Sequence, residues 1–412
     1  MSESVFTQNG LLRAHLGALL RRDGQLGELR LPEGFTEPID VVVTLNEVND
    51  QHGTGPLIKR ILKGRRNILS IRSRDDWGHQ DFGDWHLRIS QKGRTRPECF
   101  GDVLRILAGR NVRTVLCVPF LVDEVMTSIA IKEAFNPSLC MYIMDDQNVA
   151  AEIIPDDIMR ESLEKSSLRL ATHPELCRAY ERKYGLPFHL LPAVVPAHLV
   201  TTEPVEPAYD ASLRNGALLG SIWDQLWFDR LCSVLERCHC TIDWYGNNRS
   251  PWVKFPPENL ARAGIAALGL VPEERLAAEL RRYPFVIVPV GALDRKESNS
   301  GVSSLSLPGR ILFAAATSHT PILVVGSEKT CAARFVKHFG IGETAPYEAS
   351  AVAAAMERFS RRDVQLEMRR NAAGIARTFS DAGIVEWLAT SIKWGKPADS
   401  RFEDAFAGYH GD

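Results

Sequence analysis

The residues best placed to do chemistry lie in 298–326, SNSGVSSLSLPGRILFAAATSHTPILVVG. A Ser/Gly-rich loop runs into Leu307-Pro308-Gly309-Arg310, then an apolar helix, then Thr320-Pro321 and the strand ILVV. Proline suits a first helical turn, where its missing N–H would have had no intrahelical partner. Free backbone N–H groups and the positive end of the helix dipole then face whatever precedes the helix. Arg310, one turn in, adds a full charge. An anion is the natural guest, and a diphosphate fits the span. An ordinary loop–helix–strand unit of an α/β sheet is the alternative.

Three further sets carry chemical potential. Thr44-Leu45-Asn46-Glu47 closes an apolar strand and leads through His52-Gly53-Thr54-Gly55-Pro56 into a helix. Paired glycines let backbone approach a ligand closely, particularly where φ is positive. This loop must lie at the carboxyl end of its strand, where open α/β sheets bind ligands. A dinucleotide fingerprint would need a third glycine where Ile58 stands, which argues against a nicotinamide oxidoreductase. Asp145 and Asp146 follow the strand LCMYIM and, with His52, form the candidate acid–base set; helix capping by Asp146 is the competing role. Arg295 and Lys296, ahead of the Ser/Gly loop, could neutralise a diphosphate or simply be solvated. Cys238-His239-Cys240 has no partner pair at zinc spacing and reads as the approach to a strand.

The elements that must position these groups alternate along the chain. Strand candidates are 39–45, 67–72, 114–118, 139–144, 168–172 and 188–192, then 216–221, 240–245, 285–290 and 321–325. Helix-period stretches lie between them, and further helices close the chain at 329–339, 348–359, 363–378 and 382–393. An amphipathic helix is expected over Leu11–Leu20, and Thr172 with Glu175 reads as a capping box. Continuous apolar strands separated by helices imply parallel sheets covered on both faces. Residues 196–212, Pro-rich, acidic and aperiodic, read as a linker. At 412 residues two domains are expected: 1–195, and 213–381 after the linker, with 382–412 a helix and tail returning to the first.

Composition narrows the classes. With 45% apolar and 24% charged residues and a net charge of −2, the chain is globular and is not expected to bind nucleic acid. The start, MSESVFTQNG, has neither the basic nor the apolar part of a signal peptide, and eight scattered cysteines suit reduced thiols; a cytoplasmic protein is expected. Lys59, Arg60, Lys63, Arg65, Arg66, Arg72 and Arg74 form a basic run that could touch an anionic membrane from the inner face or serve as a solvated helix face.

Taken together, 298–326, the Gly53–Gly55 turn, the Asp145-Asp146 turn, SSLRLATHPELCRAYERKYGLP and LLGSIWDQLWFDRL resemble segments of GT-B glycosyltransferases, in particular the family-4-like branch. The resemblance covers nearly the whole chain. It implies two facing Rossmann-like domains, with the last helix crossing back to the N-terminal domain. It implies a nucleotide-sugar donor held mainly by the C-terminal domain and a glycan, lipid-linked or small-molecule acceptor on the N-terminal one, as in polysaccharide assembly. Retention of configuration and a metal-independent mechanism follow, the latter agreeing with the lack of any D-x-D triplet. Donor contacts would come from Gly220, Ser221, Tyr245, Gly246, Arg295, Lys296 and the segment Leu307, Pro308, Gly309, Arg310. The family's two glutamates, seven residues apart, are missing: the segment 298–326 has no acid, His319 replaces a glycine, and the Pro308–Pro321 spacing is one residue long. Ser303, Ser304 or Glu297 would have to supply those contacts. A GT-B-fold nucleotide-sugar epimerase and a non-catalytic GT-B-like partner subunit remain alternatives.

Overall fold

The strand IDVVVT (β1, Ile39–Thr44) is buried along its whole length, as a central strand covered on both faces must be. Its one charged residue, Asp40, survives burial because Arg113, Arg65 and Thr114 all hydrogen-bond its carboxylate. The computed structural model describes residues 35–78, 82–207, 215–250, 253–297 and 300–409; the helix expected at Leu11–Leu20 and the end of the expected linker lie outside them.

Around β1 the chain builds a parallel sheet from β2 (Ile68–Arg72), β3 (Trp85–Arg88), β4 (Val112–Cys117), β5 (Ser138–Ile143), β6 (Leu168–Ala171) and β7 (His189–Leu190), in the order β3-β2-β1-β4-β5-β6-β7. A second parallel sheet holds β8 (Asn215–Leu219), β9 (Thr241–Tyr245), β10 (Ile265–Ala267), β11 (Val286–Pro289), β12 (Ile322–Val325) and β13 (Gly342–Ala345), in the order β10-β9-β8-β11-β12-β13. Each sheet begins in its middle, winds outward on one side, then restarts on the other. The strand order therefore reverses between β1 and β4 and between β8 and β11, and crevices open at those points beyond the carboxyl ends.

Three edge strands, β3, β10 and β13, escaped the sequence reading. They are short and partly exposed, so no continuous apolar run marks them; a neighbouring strand supplies their pairing. The capping box expected at Thr172 is also corrected. His173 is the N-cap of the helix Pro174–Tyr184 and its ring accepts from Leu176 N–H, while Thr172 donates to the Met144 carbonyl. Glu175 reaches Arg334 instead.

One apolar cluster runs from the first sheet through the facing layer of the second; another fills the far side of the second sheet. After the helix Arg362–Ala376 the chain crosses back. Val195 N–H donates to Phe379 O and Asp381 N–H to Val195 O. The helix Ile384–Trp394 then packs on the helix Thr54–Ile61 and on β5, burying Ile384, Trp387 and Leu388. No helix among the described residues is long and apolar enough to cross a membrane.

Candidate functional site

On the C-terminal side the site is built where β8 and β9 end. Gly220 has φ +68°, a left-handed turn that glycine adopts without strain. Its N–H donates to Tyr245 O and its carbonyl accepts from Trp244 Nε1 at 2.7 Å. A side chain at Gly246 would run into that same carbonyl, so the two strand ends can close together only with glycine there.

Arg310, the second residue of the helix Gly309–Thr317, spans this turn. It donates to Leu219 O at 2.7 Å and to Ser221 O at 2.5 Å. No carboxylate among the described residues pairs with it. Burial lowers its pKa to about 10, so it stays charged at neutral pH. Two carbonyls orient the guanidinium but leave its charge uncompensated, with N–H donors to spare. The N-terminal dipole of its helix adds to the same field. Pro308 is the N-cap rather than the first helical residue, and it makes no side-chain cap.

Several expected ligand groups are occupied by the fold. Glu297 takes Trp227 Nε1, Ala292 N–H and Leu293 N–H on one buried carboxylate, pinning the loop after β11. The Ser304 hydroxyl donates to Gly301 O within its own helix, and Ser303 is buried against Gly291. Glu297 is thus spent on polar groups the loop itself buries, and the Ser304 hydroxyl on its own helix. Tyr245 is likewise turned inward: its hydroxyl meets that of Tyr283, which donates to Asp243. Arg295 and Lys296 stand exposed on the loop. Trp223 and Trp227 pack edge to face at 4.4 Å. His239 is the left-handed C-cap of the helix Gln225–Cys238, and Cys238 donates to Ala349 O. Among the described residues no three His, Cys, Asp or Glu side chains gather as metal ligands.

On the N-terminal side the two adjacent aspartates divide. Asp146 is 1% exposed and accepts the N–H groups of Asn148, Val149 and Ala150; it holds the turn together. Asp145 is partly exposed and makes no hydrogen bond or ion pair among the described residues. Burial, and then the neighbouring Asp146, push its pKa up to about 6. A carboxyl titrating there can carry a proton in either direction near neutrality.

The loop after β1 also differs from expectation. Gly53 has φ −55° and no heavy atom within 4 Å of an added side chain, so neither strain nor close approach demands glycine there. Gly55 is crowded, but by the backbone of Asn49 in its own loop. His52 stacks on Trp77, with ring centroids 5.5 Å apart and planes at 15°. Burial lowers the pKa of His52, leaving the ring neutral at physiological pH. Thr54 begins the helix behind them.

Trp77 was not anticipated. The fold holds it deliberately: Glu47 accepts both Asp76 N–H and Trp77 N–H, and the Asn46 amide bridges Asp76 to Trp77 Nε1. The only sequence signal was Asn46-Glu47 at a strand end. β4 separates β1 from β5, so the ends of those two strands, from which the His52 loop and the aspartate turn leave, stand roughly 10 Å apart, two strand spacings. Opposite Asp145, Gly301 packs against Ala150 so closely that a side chain there would overlap it. The aspartate turn and the segment leading to Arg310 thus meet across the two sheets. The basic run is largely paired: Lys59 with Asp50, Arg60 with Glu273, Arg65 with Asp40 and Arg72 with Asp75, leaving Lys63, Arg66 and Arg74 exposed.

This architecture has solved counterparts. HepE from Anabaena, in a complex with UDP and glucose, is 14% identical; the match covers 86% of this chain and 99% of that one at a TM-score of 0.59. WaaG, a glycosyltransferase involved in lipopolysaccharide biosynthesis, is 12% identical over 86% and 99% at 0.53. The fold is GT-B. Within it, a UDP-N-acetylglucosamine 2-epimerase is similar too, 13% identical over 87% and 98% at 0.51. No protein-family model and no curated protein matches the sequence.

Proposed function

We propose that the chain is a glycosyltransferase that moves a sugar from a nucleotide-sugar donor to a glycan, lipid-linked or small-molecule acceptor. The observation that carries this reading is Arg310, a desolvated cation at a helix N-terminus that no carboxylate among the described residues pairs, together with Asp145 at a strand end of the other sheet, titrating near neutrality. The bond between the anomeric carbon and the diphosphate oxygen would break with its electron pair leaving on the diphosphate. Arg310 and the first N–H groups of its helix would stabilise that developing charge. The acceptor hydroxyl would form its bond to the anomeric carbon on the face the diphosphate leaves, as retention requires, its proton passing by way of Asp145 to the departing diphosphate. Retention and independence from a divalent metal are part of the proposal, as are a cytoplasmic location and membrane contact through the exposed Lys63, Arg66 and Arg74. Calorimetry with UDP, GDP, dTDP, CMP and NAD tests the donor side. A nucleoside diphosphate should bind and NAD should not; tight NAD binding with no nucleotide binding would overturn the reading.

Asp145 also favours a second reading, a nucleotide-sugar epimerase, because proton transfer at a sugar carbon needs such a group and no acceptor. Incubation with UDP-N-acetylglucosamine in deuterated water separates the two. An epimerase incorporates deuterium into the recovered sugar; a transferase does not.

A further inference from the structure

The helix Ser300–Leu305 leads directly into Ser306-Leu307-Pro308-Gly309-Arg310, and its last carbonyls have no intrahelical partner. The last of them, Leu305 O, is met from the opposite side of the cleft, and Ser304 O from the helix Cys331–His338 on its own side. His173, at the end of β6, lies 2.7 Å by Nε2 from Leu305 O. Arg334 reaches Ser304 O at 3.4 Å, and its guanidinium is itself held by Glu175, the second residue of the helix that His173 caps. Tyr409, near the end of the described chain, donates to Glu175 at 2.5 Å. His173 is 1% exposed. A carbonyl can only accept, so Nε2 carries the proton, and Nδ1 is left to accept Leu176 N–H at 3.3 Å. Cys331 Sγ sits 3.4 Å from that same Nδ1.

We infer that His173 is a positioning residue: from the N-terminal domain it holds the segment that carries Arg310, so nucleotide binding and the mutual position of the two domains are coupled. The inference rests on the proposed nucleotide site. The coupling has a physical route, because the segment cannot shift without breaking a bond that crosses between domains. By linkage, whatever fixes the domains fixes the segment, and a nucleotide that fixes the segment steadies the domains. Gly301 against Ala150 gives the segment a second point of contact with the N-terminal sheet's loops, close enough that any larger residue at 301 would overlap Ala150.

Two substitutions separate the ring's two roles. His173→Asn keeps an acceptor at the cap, where asparagine is well suited, but is too short for Leu305. His173→Gln reaches toward Leu305 with an amide donor and gives up the cap. Hydrogen exchange of the amides in 300–311 should quicken in His173→Asn and stay near wild type in His173→Gln. UDP affinity by calorimetry should fall about tenfold in the Asn variant alone, the size of one lost hydrogen bond. Unchanged exchange in His173→Asn, or equal effects in both variants, would overturn the inference. If wild-type protein binds no UDP, the proposed function fails while the exchange comparison still decides this point. Should His173→Asn not fold, His173→Ser takes its place, a cap equally unable to reach Leu305: faster exchange in 300–311 supports the inference and wild-type exchange overturns it.

Discussion

Arg310 bonds only two carbonyls and, among the described residues, Asp145 makes no hydrogen bond, so both keep hydrogen-bonding capacity that their neighbours Glu297 and Asp146 have spent. Removing the guanidinium in Arg310→Ala should weaken nucleotide binding tenfold to a hundredfold, about 1.5–3 kcal/mol for a charge-assisted contact. Arg310→Lys keeps the charge but cannot fork between the Leu219 and Ser221 carbonyls, so its affinity should be intermediate. Calorimetry checks both. For Asp145 the sign of the pH dependence follows from a folded pKa of about 6 against 3.8 for the free group. Below about pH 4 the carboxyl is protonated folded or unfolded and contributes nothing. Between pH 4 and 6 the unfolded chain ionises first, so a destabilisation grows, and above pH 6 it is fully present. Asp145→Asn should therefore melt higher than wild type at pH 7.5, with the difference vanishing near pH 4, while turnover is lost. A variant that melts lower at pH 7.5 would remove the strained carboxyl from the account. Sites of function commonly carry such a cost in stability.

Short loops, rather than whole strands, set the geometry of the N-terminal wall. The turn after β1 folds over Gly55, and a methyl there would collide with Asn49's backbone. Gly55→Ala should cost about 1–3 kcal/mol by denaturant titration, the usual range for overpacking. Gly53→Ala, two residues away, should stay within about 0.5 kcal/mol of wild type because its φ is already helical and its surroundings are open. Equal losses in the two would show that the loop is built differently. The turn after β2 is pinned to that loop through Asn46 and Glu47, so Trp77 is fixed in place before any ligand arrives. Trp77→Ala should raise the acceptor KM well above its effect on nucleotide affinity, which the other domain supplies; a purely structural Trp77 would lower the melting temperature and leave KM alone.

At the scale of the molecule, the returning helix Ile384–Trp394 makes the second half of the chain part of the first half's core. Trp387 is 2% exposed and packs edge to face with Phe402 at 5.2 Å. Trp387→Ala should cost about 3–5 kcal/mol, as large aromatic truncations in cores do. The apolar cluster is continuous across the two sheets. Unfolding followed by near-ultraviolet dichroism and by tryptophan fluorescence should accordingly shift together in the variant. Two separated transitions in the wild type would contradict that continuity.

The sequence by itself determined the two parallel sheets, the helix near 382–393 and the positions of the strand-end loops, while the return of that helix to the first domain came from the family resemblance. Buried parallel strands must be continuously apolar, and the helices between them must keep a 3.6-residue period, so both are written locally. It also marked Arg310 and Asp145 through their places at a helix start and a strand end. Only the tertiary structure decided which polar groups in those loops face the cleft. Glu297, Asp146, Ser304 and Tyr245 look as available in the sequence as Asp145 does, yet each is matched to donors or acceptors inside the protein. Some of that matching is local, as Asp146 to Asn148, Val149 and Ala150 and Ser304 to Gly301, and some joins distant positions, as Trp227 to Glu297 across 70 residues and His173 to Leu305 across 132. A buried polar atom must find a partner, and for Glu297 and His173 that partner is a property of the packed chain, not of their neighbours in sequence.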